Sequence, residues 1–276
     1  MSLWLRRLLA ASNAARSYVL DRGRDQDGDY RFVRVVATIV AEKLGATVGA
    51  LIATLPVSAG PVYVFLALDH DAAFISASAL TSLALNAATA IYVTVYVLLA
   101  QRHGIWISVP LALATWFAAA LVFGPVHWTA WTALVLNLVV FILCFFIVEH
   151  YGRVRMPPTK QTWYDFVIRA GMVALLVGVV VTLSSYIGAA GSGILAVFPV
   201  IYTSIMVILH SRVGGPATAA VLANAIRGLA GFGIALLTLH LTAVPVGSGG
   251  ALLIALSVSV AWNVAVYMLQ RPQVLN

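Results

Sequence analysis

Charge is what this chain has least of. Asp, Glu, Lys and Arg make up 9% of its 276 residues, against roughly 25% in an average soluble chain. So few charges cannot cover the surface of a water-soluble domain of this size, and a mean hydropathy of +1.00 built from long apolar runs points to lipid as the solvent. A β-barrel is disfavoured because its lumen would need a polar residue at every second position. One cysteine, Cys144, lies inside the apolar run 141–148, which excludes an intramolecular disulfide, a CxxC pair and a thiolate metal cluster. No acidic residue follows Asp165. Phosphate-loop, nucleophile-elbow, HExxH and paired-carboxylate patterns are all missing, so no enzyme activity, cofactor or metal is expected.

The chain does contain eight apolar runs of spanning length, at 45–68, 73–99, 105–123, 127–149, 165–187, 189–210, 216–240 and 247–269. Each is close to the ~20 residues that a ~30 Å hydrocarbon core requires. Basic residues alternate between their ends. Asp69, His70 and Asp71, and the segments 124–126, 188–193 and 242–247, carry no Lys or Arg, whereas Arg102, Arg153, Arg155, Lys160, Arg212 and Arg271 lie at the other ends. Seven of the sixteen Lys and Arg precede residue 35. By the positive-inside rule both termini are cytoplasmic, and the basic excess reflects topology, with no nucleic-acid partner expected.

Four regions follow. Residues 1–31 read as a cytoplasmic amphipathic helix and polar loop, since Ser12, Asn13 and Arg16 interrupt what would be a signal-peptide core. Residues 32–149 form a first membrane half, 150–164 a basic cytoplasmic loop, and 165–276 a second membrane half.

An internal repeat is the most informative feature. A shift of 143 places 45–67 on 188–210 with seven identities in 23 columns, among them Gly45 on Gly188, Pro56 on Pro199 and Val57 on Val200. The match continues more weakly from 79–100 into 221–242. The matched segments fall in spans one and six, an odd number of crossings apart, so the copies run in opposite directions. The fold expected is therefore an all-α polytopic membrane protein with an inverted-topology repeat and helices kinked or broken at Pro56 and Pro199. The segment FPVIYTSIMVILHSRVGGP resembles segments of bacterial multi-span proteins, which implies a bacterial inner membrane.

Proline removes a helix hydrogen bond and clashes with the preceding turn. At repeat-equivalent depths, with Ser58 near Pro56 and Thr203 and Ser204 near Pro199, the two prolines mark helices whose freed backbone groups suit a transporter binding site. An ordinary proline kink is the plainer alternative. Arg227 lies midway along its expected span, where a guanidinium costs at least ~2.5 kcal/mol on insertion scales. Asn224 shares its helical face, and Asn86, Asn137 and Asn263 offer amides from other spans. Arg227 then reads either as an anion-binding group in a polar cavity or as glue between helices. The histidines and the Trp residues at 106, 128, 131 and 163 read as interfacial anchors. The glycines from 188 to 193 and from 228 to 233 read as sites of close helix packing.

These features predict a secondary transporter of a small anionic or amphiphilic solute, binding through Arg227, Asn224, Asn86, Pro56, Ser58, Pro199, Thr203 and Ser204. The expected partners are membrane lipids, that solute and a second copy or a membrane complex. The alternative is a non-transporting membrane subunit or scaffold; a membrane-embedded lipid-modifying enzyme is a third reading.

Overall fold

The computed structural model describes residues 59–153 and 163–270. They form eight helices and no strand: α1 (Ala59–Asp69), α2 (Ala72–Leu99), α3 (Ile105–Phe123), α4 (Ala130–Val148), α5 (Trp163–Ala196), α6 (Val200–Val213), α7 (Gly215–Val246) and α8 (Ser248–Gln270), with a 3₁₀ turn at Glu149–Arg153 after α4. Contacts divide the chain into Met1–Gly49 and Ala50–Asn276, and every described residue belongs to the second unit. The expected N-terminal helix, Pro56, Ser58 and most of the loop 150–164 lie outside the described residues.

Six stretches are long and apolar enough to cross a bilayer: Ala72–Leu99, Ile105–Phe123, Ala130–Gly152, Val167–Val213, Gly215–Val246 and Ser248–Leu269. The shortest has 19 residues, about 28 Å at the helical rise of 1.5 Å per residue. Trp106, Leu121, Phe146 and Leu269 are among many large apolar side chains left exposed on α3, α4 and α8, a surface that suits lipid and not water. The protein is thus a multi-pass α-helical membrane protein by composition and fold.

Its axis is α2. Asp71 starts this helix by accepting from the Phe74 amide at 2.8 Å, an N-cap that satisfies one of the helix's free donors. Ser78, Ser82, Asn86 and Thr89 are buried along it. Helix α7 runs antiparallel beside α2. Ser76 Oγ lies 2.9 Å from His240 Nδ1, Asn86 bonds to the Leu229 carbonyl, and Gly215 packs against the Ala100 carbonyl where any side chain would collide.

The segment from 189 to 203 runs parallel to α2 instead. Ser78 donates to the Ala189 carbonyl at 2.9 Å, Ser82 to the Gly193 carbonyl at 2.6 Å, and Tyr92 lies 2.8 Å from Thr203 Oγ1. These three pairs share one sequence interval, 111 residues, as two chains advancing in step must.

Helix α5 is not straight. Gly188, at φ 66° and ψ −174°, interrupts it, a backbone conformation essentially reserved for glycine. Asp165 near its start forms an ion pair with Arg212 near the end of α6, so the chain folds back between them. The run Val167–Val213, expected as two spans at 165–187 and 189–210, counts as one of the six apolar stretches and is interrupted at Gly188. The expected loop at 188–193 shrinks to Gly188 alone, because a single residue with positive φ reverses the chain and helix resumes at once. A second interruption covers 197–199. There Phe198 N bonds to the Leu195 carbonyl at 3.1 Å and Val200 N to the Phe198 carbonyl at 2.7 Å, and Pro199, with ψ 50° and no N–H, precedes α6.

Helix starts repeat as well. Ala72 and Gly215 begin α2 and α7, and Ile105 and Ser248 begin α3 and α8; the interval is 143 residues in both cases, the shift found in the sequence.

Candidate functional site

The candidate residues assemble into three groups around α2 and α7 and do not line one cavity. At the centre, Asn86 Nδ2 donates to Asn137 Oδ1 at 3.1 Å and to the Leu229 carbonyl at 3.2 Å. Both partners are acceptors, which fixes the orientation of the amide. Asn137 Nδ2 returns to the Leu83 carbonyl at 2.7 Å and the Ala133 carbonyl at 2.8 Å, so one node joins α2, α4 and α7. Gly233 makes room for it: a Cβ there would lie 2.8 Å from Asn86 Nδ2. Asn86 Oδ1 is buried and meets no donor among the described residues, an unmet acceptor at the crossing of the two central helices.

The second group surrounds the break before α6. Thr203 Oγ1 donates to the Pro199 carbonyl at 2.7 Å, which commits its only proton and leaves Tyr92 to donate to Thr203. The Tyr92 hydroxyl also lies 3.0 Å from Met206 Sδ. Trp116 closes the neighbourhood, with its indole N–H 3.2 Å from Thr89 Oγ1 and its ring edge-on to Phe198 with centroids 5.1 Å apart. Ser204 takes no part, since it bonds to the Ile201 carbonyl of its own helix at 2.7 Å and is buried.

Arg227 and Asn224 form the third group, on the face of α7 turned away from α2. Arg227 Nη1 donates to Asn224 Oδ1 at 2.9 Å, and Asn224 Nδ2 donates to the carbonyls of Gly152 and Ala220, each at 3.0 Å. The guanidinium lies over the Phe145 ring, 5.0 Å from its centroid, within range of a cation–π contact. Side chains tilt toward a helix's N-terminus, and this one reaches back one turn toward the end of α4. No carboxylate pairs with it among the described residues. Asn86 and Asn137, expected to share a polar cavity with it, bond to each other between α2 and α4 instead. What surrounds Arg227 is hydrocarbon: a groove of about 360 Å³ between α4 and α8, floored by Ile226 and Ala230 of α7.

Several polar ties escaped the sequence reading. Asp165 and Arg212 make a two-pronged pair, both hydrogen bonds 2.6 Å long, at the end where α5 begins and α6 finishes. Opposite charges at the outer ends of two neighbouring spans were its signal. His70, His210 and His240, expected as interfacial anchors, bond to Ser184, Tyr96 and Ser76 on other helices at 2.7, 2.8 and 2.9 Å. Tyr92 and Tyr96 stand one turn apart on α2, where buried hydroxyls call for partners.

The fold and these groups define a multi-pass helical membrane protein with a discontinuous helix beside its central pair. Comparisons of the chain with protein-family models, with curated proteins and with solved structures find no match.

Proposed function

We propose that the chain is a secondary transporter of a small anionic or amphiphilic solute, in which two inverted halves of an eight-span bundle alternate access to a site between them. Both termini face the cytoplasm, and the membrane is the bacterial inner membrane. The observation that carries this reading is the contact of Asn86 with Leu229. Two halves related by a two-fold axis in the membrane plane meet at the axis through equivalent residues, and their central helices run antiparallel. The antiparallel pair α2 and α7, in contact at the interval of the sequence repeat, supports this reading.

The break at 197–199 supplies the second support, because interrupted helices offer backbone groups to solutes and ions within the bilayer. In this scheme Pro199, Thr203 and Asn86 flank the moving site, with Pro56 and Ser58 as the counterparts from the first half. Arg227 with Asn224 supplies the anion-binding group from the opposite face of α7, apart from Pro199, Thr203 and Asn86. The scheme includes no catalytic step.

A non-transporting membrane subunit or scaffold is the alternative, favoured by how fully Asn137 and Asn224 are spent on ties between helices. Flux of anionic solutes into proteoliposomes separates the two. A transporter shows saturable flux that Arg227→Lys weakens while the protein stays folded, since lysine keeps the charge and loses the planar fork. A scaffold shows no flux above that of empty vesicles.

A further inference from the structure

The groove beside Arg227 has the chemistry of a lipid site. Its walls are Leu138, Ile142, Phe145 and Phe146 of α4 and Trp262 and Val266 of α8. Leu138, Ile142 and Phe146 are 59%, 46% and 70% exposed, so the groove opens sideways onto the surface that faces the acyl chains. From Phe146 to Leu138 it runs about 12 Å along α4 at 1.5 Å per residue, the length of a substantial stretch of hydrocarbon chain.

Its far wall is fixed in place. The Trp262 indole donates to the main-chain carbonyl of Arg227 at 2.8 Å and lies flat on Gly231, where any side chain would collide with it. At one end of this apolar slot stands the single charge, held by Asn224 about one turn from the Glu149–Arg153 corner that ends α4. Phe145, under the guanidinium, is three residues from the end of the 19-residue α4, so Arg227 stands near the end of that span and not midway as its own run suggested, close to the level of a phosphodiester. A guanidinium presents two parallel donors that match phosphate oxygens, and its remaining donors have no carboxylate to meet among the described residues.

We infer that this groove binds an anionic phospholipid of the bilayer, its acyl chain between α4 and α8 and its phosphate on Arg227. The inference rests on the anion-binding reading of Arg227 and narrows the ligand to one that arrives laterally, from the membrane and not from water.

Native mass spectrometry of the purified full chain, with phosphatidylglycerol and phosphatidylcholine of the same acyl chains as probes, tests it without any transport. Both headgroups carry the phosphate, so the discrimination comes from the choline ammonium, which sets a second positive charge beside the guanidinium; about a tenfold preference for phosphatidylglycerol is expected. Arg227→Gln is expected to erase the preference and Arg227→Lys to restore part of it. Ala230→Phe, which keeps the charge and fills the floor, is expected to lower retention of both lipids. If Ala230→Phe fails to fold, the arginine pair still decides. Equal retention of the two lipids by the wild type, or a preference unchanged in Arg227→Gln, overturns the inference. Retention of phosphatidylglycerol without solute flux in proteoliposomes upholds the lipid site and removes the transport reading. Binding of a short water-soluble anion through Arg227 with no lipid preference does the reverse.

Discussion

Asn86 and Leu229 are 143 residues apart and joined by a 3.2 Å hydrogen bond from the amide of one to the carbonyl of the other. In a membrane such bonds are modest, averaging about 0.6 kcal/mol in measured cases. The importance of this one is positional, because it lies where α2 crosses α7 and where Gly233 lets the two helices approach.

Gly233→Ala places a methyl group 2.8 Å from Asn86 Nδ2. Overpacking of this kind costs about 1–3 kcal/mol, so the melting temperature of the purified protein drops. Adding Asn86→Ala removes the obstructing amide and recovers part of the loss. Strictly additive losses would show that the two side chains are not in contact.

Gly188→Ala is expected to destabilise for a different reason. Nothing lies within 4 Å of the added methyl group, and the cost comes from a backbone at φ +66° that L-residues rarely adopt, worth about 1–3 kcal/mol. Denaturation of Gly188→Ala beside Gly178→Ala, which is also free of neighbours but lies within regular α5, isolates the backbone effect. Similar stabilities for the two would show that the chain does not reverse through this conformation.

Asp165→Asn leaves Arg212 without its two-pronged partner. Removing one member of a buried pair costs about 3–5 kcal/mol, and the lower end applies here because the Arg212 side chain is 29% exposed. Asp165→Asn combined with Arg212→Gln is expected to be more stable than either single change predicts by addition. A double-mutant cycle with no coupling contradicts a direct bond between the two legs.

Arg227→Met and Asn224→Leu divide the third group. Among the described residues Arg227 makes one side-chain hydrogen bond and one ring contact, so methionine lowers thermal stability by no more than about 1 kcal/mol while anion binding is lost. Asn224 ties α7 to the Gly152 carbonyl, and leucine there costs more. A large drop in melting temperature for Arg227→Met would make the guanidinium glue between helices and sink its role as an anion site.

The sequence revealed the membrane class because apolar runs end in sharp polar punctuation. The run 105–123 coincides with Ile105–Phe123, and 73–99 nearly so with Ala72–Leu99. Arg227 and Asn224 were expected on one helical face from their spacing of three, and they bond to each other. Their surroundings were not legible, because lipid and protein interior are equally apolar and a span that is hydrophobic all round gives no sign of which face turns inward. Asn86 and Asn137 were visible as amides, but nothing in one dimension says that they bond to each other in place of Arg227. The break at 197–199 was marked by Pro199, whereas the reversal was spread over 188–193 because glycine content cannot tell which glycine has positive φ.

The most direct test of the inverted arrangement uses positions 103 and 246, which are repeat-equivalent at the shift of 143, are both exposed and lie at the α2–α3 and α7–α8 turns. In a Cys144→Ser background, single cysteines replacing His103 and Val246 are labelled with a membrane-impermeant maleimide on intact and on opened cells. The account predicts that position 246 reacts from outside and position 103 only once the cytoplasmic face is opened. Labelling of both positions from the same side would contradict it.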